Sequence, residues 1–153
     1  MIVGVPTEIY PGENRVALTP SDMPILAKLG IETYIETGAG IKAGFPDAAY
    51  KKNGAALSQS RSELFSSVDI VLMVHGTAPN LDGCYADVAL SHPGQVVLGL
   101  LNSLDSPDAI HKLAKGNITA FALELIPRIS RAQPMDALTS IATIMGYKAA
   151  LIA

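Results

Sequence analysis

Apolar and polar positions along the chain follow two rhythms that take turns. Short runs rich in β-branched and aliphatic residues recur at "IVGV" (2–5), "ETYIE" (32–36), "DIVLMV" (69–74), "QVVLGL" (95–100) and "ITAFAL" (118–123). Their length and composition predict strands. Between them lie segments with helical spacing and helix punctuation. "TPSDMPILAKLG" opens on a Thr-Pro pair suited to a helix start and stops at Gly30. "PDAAYKKNG" and "SRSELFSS" are shorter, and "SPDAIHKLAKGN" carries Ser106 as N-cap, Pro107 as first helical residue and Gly116 as stop.

Strand and helix in alternation predict an α/β fold: a doubly wound, mostly parallel sheet with helices on both faces, Rossmann-like or flavodoxin-like, with right-handed crossovers. The last three strands are apolar on both faces, which predicts helical cover on both sides. Ligands of such sheets bind beyond the carboxyl ends of the strands. The loops at 6–14, 37–46, 75–83, 101–106 and 124–134 are therefore the places to look for a site.

"GAGIKA" (38–43) satisfies the spacing G-x-G-x-x-G/A after a strand. A pyrophosphate site of that kind needs a helix opening at the second glycine, whose amides hold the phosphates. Gly44, Phe45 and Pro46 end any such helix within about a turn. The segment reads as a strand-to-helix turn, and the pyrophosphate site is expected outside this chain.

"ELIPRISRAQPMDALTS" (124–140) gathers two arginines, a glutamine and an aspartate between prolines and then runs into an apolar helical pattern. Pro127 and Pro134 push the residues before them out of the α region, so "RISRAQ" is expected to be an ordered, largely extended loop. Pro134 suits the first position of the following helix, with Gln133 as N-cap and Asp136 at the third position. On that helix Asp136, Thr139, Ser140, Thr143 and Tyr147 share one stripe, and Leu138, Ile141, Ala142, Met145, Ala149 and Ile152 lie opposite. A stripe of hydroxyls and one carboxylate, free of Lys and Glu, reads as a hydrogen-bonding wall. Taken singly, Asp136 could serve the helix dipole, the arginines could be solvated and Tyr147 could be core; taken together they read as a site.

Composition narrows the classes. The 153 residues suffice for one domain with its own core. Only 16% are charged and mean hydropathy is +0.32, so an oligomer or neighbouring domain is expected to cover part of the surface. A net charge of −3 and scattered cations argue against nucleic acid. No apolar run reaches a membrane span and the first residues already read as a strand, so the chain is expected to be cytoplasmic without direct membrane insertion. A single cysteine, Cys84, excludes internal disulfides and thiolate zinc sites, and His75, His92 and His111 lack ligand spacing, so no metal is expected. Cys84 reads as a small residue near a loop. The helical pattern reaches Ala153 with no stop signal, so residues 1–133 are expected to form the α/β domain and 134–153 the start of an interdomain helix.

"IVGVPTEIYPGENRVALTP", "ETGAG" and above all "ELIPRISRAQPMDALTSIATIMGYKAALI" resemble the N-terminal part of the alpha subunit of proton-translocating NAD(P) transhydrogenase, in a superfamily that includes alanine dehydrogenase. The first two motifs are shared by both branches; "PRISRAQ-x-x-DAL" belongs to the transhydrogenase branch. The resemblance implies a following Rossmann domain that holds NAD(H) in the cleft between the two, NADP(H) on a partner domain or subunit, and direct hydride transfer coupled to proton translocation. It also implies a homodimer, a membrane-spanning partner subunit, a place at the cytoplasmic face of the inner membrane, and an isolated chain without turnover.

By the same resemblance, Arg128 matches the arginine beside the nicotinamide, Gln133 the glutamine of that loop, Asp136 the aspartate paired with the arginine, and Tyr147 a tyrosine of the next helix. Thr139 stands where serine is usual, and Ser130 and Arg131 are expected to shape the loop. Arg128, Gln133 and Asp136 are the expected catalytic group, in the sense of orienting a ring, and Thr139 and Tyr147 join them in cofactor binding. Hydride transfer between nicotinamides needs distance, angle and exclusion of water rather than a proton shuttle. An alanine dehydrogenase-like substrate domain is the alternative, with Arg15 on the substrate carboxylate. Met73, however, stands where lysine is usual in both branches, and that branch's histidine is missing from "LLNSLDS". His75 reads as a solvated loop residue. A non-catalytic dimerising or binding module is the third reading.

Overall fold

A computed structural model describes residues 1–76 and 81–152, with the backbone alone for 81–85. Strands β1 (Ile2–Val5), β2 (Glu32–Glu36), β3 (Ala56–Ser58), β4 (Ile70–His75), β5 (Val96–Leu100) and β6 (Thr119–Ala122) alternate with helices α1 (Met23–Lys28), α2 (Asp47–Lys52), α3 (Arg61–Ser67), α4 (Leu81–Leu90), α5 (Pro107–Lys115) and α6 (Ala137–Ile152). All strand pairs are parallel, in the order β3-β2-β1-β4-β5-β6. That is the Rossmann order rather than the flavodoxin one, with the topological switch between β1 and β4.

The five strands read from the sequence are present, as are the four helical segments. Local chemistry explains several boundaries. Ser60 Oγ accepts from Glu63 N at 3.2 Å, and the Glu63 carboxylate accepts from Gln59 N at 2.8 Å, so α3 begins with reciprocal capping. Ser106 precedes Pro107 and Gly116 follows Lys115, so α5 starts and stops where its punctuation predicts. Two elements were invisible to pattern reading. β3 has only three residues, too few to show alternation, and α4, "LDGCYADVAL", carries a glycine near its start and little segregation of polar and apolar faces. The expected loop at 75–83 therefore gives way to helix at Leu81; residues 77–80 of it, and the side chain of Cys84, lie outside what is described.

Two apolar layers sandwich the sheet unevenly. On one face Leu64 and Phe65 of α3 and Leu113 of α5 pack on Val71, Met73, Val97 and Leu101. On the other, Met23 and Tyr50 from α1 and α2 pack on Val5 and Ile35, and the Tyr50 hydroxyl donates to the Leu18 carbonyl at 2.9 Å. Right-handed crossovers place α1 and α2 over β3-β2-β1 and the later helices on the opposite side. The expected two-sided cover of the last three strands is met in part: Leu72 of β4 packs against the second layer, and the cover fails at β6. β4 and β5 alternate between buried and half-buried positions, and β6, an edge strand, leaves Thr119, Ala120 and Phe121 exposed. Val97 and Met73 face α3 and α5. Leu72, Leu98 and Phe121, in register across β4, β5 and β6, form a row on the side those helices do not cover.

Candidate functional site

The carboxyl edge of the sheet at the β1/β4 switch is built by acidic side chains that tie loops to strand ends. Glu8, buried in the loop after β1, accepts from Val74 N at 2.6 Å and His75 N at 3.1 Å, stitching that loop to the end of β4. Burial pushes its carboxyl up from the usual range, with the two N–H groups opposing. Five residues on, Glu13 takes a fork from Arg15, Nε to Oε1 at 2.8 Å and Nη2 to Oε2 at 2.6 Å. Hydrogen bonding from Arg15 outweighs burial and holds the Glu13 carboxyl down to about 2. His75 Nε2 lies 3.0 Å from Glu13 Oε2, and its ring rests against Tyr10 with centroids 4.6 Å apart. The histidine expected as a solvated loop residue is instead half-buried within this cluster.

A second acidic clamp stands at the ends of β5 and β6. Glu124 accepts from Leu101 N at 3.0 Å, Ser103 N at 2.9 Å and Ser103 Oγ at 2.9 Å. Burial works against its ionisation, but the Ser103 and Leu101 N–H groups and the Ser103 hydroxyl hold the carboxyl below its usual range. Between them Asn102 takes a positive φ of 49°, a left-handed turn that asparagine tolerates better than most residues. Its carbonyl accepts from Asp105 N and Ser106 N at 3.1 Å each.

Beyond Glu124 the proline-bracketed stretch departs from its expected form. Residues Ser130–Met135 coil into 3-10 turns with Pro134 inside them, rather than running extended. A proline restricts only its predecessor and its own φ, and both are compatible with tight turns. α6 then starts at Ala137 and not at Pro134. Asp136 is its capping residue rather than its third: it accepts from Thr139 N at 3.1 Å and from Thr139 Oγ1 at 2.6 Å. Those bonds, the hydroxyl first, hold its carboxyl below the usual range, and Arg128 adds a weaker attraction from farther away. The expected Arg128–Asp136 ion pair is thus absent among the described residues.

Arg128, Gln133, Asp136 and Thr139 nevertheless gather at one corner. Arg128 joins Leu138, Thr139, Ile141, Ala142, Thr143 and Met145 in walling an open groove of about 600 Å³ along α6. Gln133 and Arg131 are exposed on the 3-10 turns, as is Ser130, and Tyr147 is 69% exposed farther along the helix. Only the first turns of α6 are partly covered, at Ala137, Leu138 and Ile141, and none of its residues is buried. A smaller cavity of about 330 Å³, lined by Tyr10, His75, Leu100, Asn102, Glu124 and Leu138, shares Leu138 with the groove. Glu8, Tyr10, Glu13, Asn102 and Glu124 were missed in the sequence. The one local signal was Glu13 two residues before Arg15.

The glycine pattern at 38–43 behaves as its context predicts. Ile41–Ala43 is a single 3-10 turn ended by Gly44 at φ 85°, so no helix N-terminus is offered to a phosphate. Gly40 has a packing reason: a Cβ there would lie 2.6 Å from both the Phe45 carbonyl oxygen and the Tyr50 ring. Met73, where lysine was the expectation, is 3% exposed in the apolar layer under α3, a setting that suits a thioether and would strand an ammonium. Among the described residues no group of three or more His, Cys, Asp and Glu could hold a metal, and no helix is long and apolar enough to cross a membrane.

Comparison with known proteins places these features in a lineage. The family model described as alanine dehydrogenase/PNT, N-terminal domain, matches residues 4–145. The chain is 40% identical over 151 residues to NAD(P) transhydrogenase subunit alpha of Cereibacter sphaeroides, covering 99% of itself and 28% of that protein. Among solved structures, the transhydrogenase from Sinorhizobium meliloti superposes with a TM-score of 0.91 at 33% identity, covering all of this chain and 44% of the other. An L-alanine dehydrogenase superposes with a TM-score of 0.77 at 32% identity over 88% of this chain and 35% of its own. The chain therefore spans well under half the length of these relatives.

Proposed function

The chain belongs to the family of alanine dehydrogenase/PNT N-terminal domains, and from that premise we propose that it is the N-terminal portion of the NAD(H)-binding component of a transhydrogenase, holding the nicotinamide end of the dinucleotide at the Arg128 corner. The observation that carries the reading is the exposed guanidinium of Arg128: it makes no hydrogen bond or ion pair among the described residues, yet it borders a groove walled by the first turns of α6. The glycine turn at 38–43 offers nothing to a pyrophosphate, so on this reading a second domain beyond the chain holds the other end of the dinucleotide.

When bound, the dinucleotide would supply hydride chemistry at its nicotinamide ring, the electron pair passing with the hydride to an oxidised ring on a partner. The protein's residues orient and exclude. Arg128 and Gln133 donate to a carboxamide or phosphate oxygen; Leu138, Ile141 and Met145 keep water from the ring face. Asp136, by accepting from Thr139, fixes the start of α6 and so the depth of the groove. None of these groups moves a proton. NADP(H) on a partner, coupling to proton movement through a membrane subunit, and dimerisation belong to the same proposal.

The alanine dehydrogenase alternative is weaker on this geometry. Arg15, which it needs for a carboxylate, already gives its fork to Glu13, and Met73 is core. Reduced nicotinamide mononucleotide carries the reactive end without the adenylate half and is the suitable probe for the isolated chain. Titrated into the labelled protein, it should shift the Arg128, Gln133 and Thr139 signals saturably. Arg128→Ala should weaken it roughly 10- to 100-fold, as loss of a charged hydrogen bond does. Equal affinity of the two proteins would refute the assignment.

A further inference from the structure

The Arg128 corner has few tethers of its own. Of residues 127–135 only Ala132 is buried. Among the described residues, its hydrogen bonds stay local: Ile126 N to the Leu123 carbonyl at 3.3 Å, Ile129 N to that of Pro127 at 2.9 Å, Ala132 N to that of Ile129 at 2.9 Å and Asp136 N to that of Gln133 at 3.2 Å. Bonds between near neighbours give a loop its shape without fixing where it stands. The far end offers no anchor either, since Asp136 caps α6 through Thr139, inside the same segment. The position of the corner is therefore set at its near end, by the 3-10 turn Leu123–Leu125, from which Ile126 and Pro127 lead directly to Arg128.

That turn packs against both β5 and α6. Leu123 lines an apolar cavity of about 420 Å³ together with Ala137 and Ile141, and Glu124 shares the smaller cavity with Leu138. Glu124 pins the turn down: its Oε2 accepts from Leu101 N at 3.0 Å, and its Oε1 from Ser103 N and Ser103 Oγ at 2.9 Å each. Leu101 is 1% exposed in the core layer, and Asp105 N and Ser106 N close the next turn on the Asn102 carbonyl, so the other side of the clamp is firmly held. Every partner is a donor. A glutamine amide would set N–H against N–H in either orientation, opposite Leu101 in one and opposite Ser103 in the other. Only a carboxylate satisfies the whole clamp.

We infer that Glu124 is a positioning residue for Arg128: by fixing the turn 123–125 to the end of β5, it sets where the guanidinium stands across the groove from α6. It acts through Arg128 and not on a ligand, a role that rests on the reading of the groove as the site of the nicotinamide end.

Glu124→Gln should weaken reduced nicotinamide mononucleotide roughly 3- to 30-fold, the range of coupling between residues of one network. In the Arg128→Ala background the same change should cost no more than about twofold, because the group it positions is gone. Gly40→Ala, destabilised at a distance from the corner, is the control for stability and should bind as the parent chain does. Ser103→Ala removes one donor from the clamp and carries the test if Glu124→Gln does not fold; it should act in the same direction with a smaller loss, and that loss too should vanish on Arg128→Ala. Undiminished affinity in these clamp variants, or their full loss repeated on top of Arg128→Ala, overturns the role. Amide hydrogen exchange of the unliganded chain separates this inference from the reading beneath it. Glu124→Gln should speed exchange at Ile129 and Ala132, and Gly40→Ala should not. If that holds while the mononucleotide fails to bind the parent chain, the groove assignment falls and the tether stands. Equal exchange in Glu124→Gln and the parent overturns the tether itself.

Discussion

Arg61 and Arg128 stand along the same carboxyl edge of the sheet and are treated in opposite ways. Arg61, at the start of α3, has a side chain only 18% exposed and uses its whole fork: Nε and Nη2 reach the two Asp87 oxygens at 2.6 and 2.7 Å, and Nη1 donates to the Thr7 carbonyl at 2.7 Å, with Glu36 at 3.4 Å. Glu36 in turn accepts from Thr7 N at 2.7 Å. Burial alone would push the guanidinium toward neutrality, and Asp87, with Glu36 and Glu8 behind it, more than reverses that. Arg128 has none of this. A saturated charge holds loops in place; an unsaturated one on a preformed wall is what a ligand can use.

The contrast can be broken most forcefully at its closed end. Arg61→Ala leaves Asp87, 3% exposed, without its partner, and stability should drop by about 3–5 kcal/mol in urea titration. A loss below about 1 kcal/mol would mean the network is ornamental. Gly40→Ala tests the packing reason for the glycine turn, where the added methyl meets a carbonyl and a buried ring. About 1–3 kcal/mol should be lost, with nicotinamide mononucleotide binding retained.

The effect of Glu13 is smaller and depends on pH. Its folded value of about 2 lies below the ordinary 4.5, so its contribution is complete above about pH 4.5 and fades as pH falls toward 2. Glu13→Gln should flatten the acid limb of a stability-against-pH curve in that window; an unchanged limb would show that the Arg15 fork, half in solvent, is worth little. Glu8 has the opposite sign, since its raised value costs stability as pH climbs through the range above 4.5. Least of all for folding, though most for binding, Arg128→Ala should leave stability within about 0.5 kcal/mol, as expected for an exposed side chain without local bonds.

Much of the architecture was legible because it is written in local chemistry. Ser106-Pro107 and Gly116 frame α5, Gly30 follows the α1 segment, and the β-branched runs at 2–5, 32–36 and 95–100 became β1, β2 and β5. The uselessness of "GAGIKA" for phosphate was readable too, since Gly44, Phe45 and Pro46 are neighbours in the chain. What misled was any inference that needed to know the other side of the sheet. Apolar residues at 119–122 look the same whether a helix covers them or they sit on an open edge, and only the crossover geometry decides.

The site divides along the same line. Residues 124–140 could be singled out because proline brackets, paired arginines and a polar helical stripe are contiguous. Their conformation could not, because the choice between an extended loop and 3-10 turns depends on which donors meet them in space. Asp136 turned out to cap α6 through Thr139, and Arg128 was left without the ion pair expected for it. Sequence alone determined the α/β alternation, the helix punctuation and the stretch that carries the family resemblance, all effects that act within a few residues. Tertiary structure decided the strand order, the open half of the sheet and the meeting of Tyr10, His75, Asn102 and Glu124. Those four come from different strand ends, and parallel pairing brings such ends to one edge only after every crossover has closed.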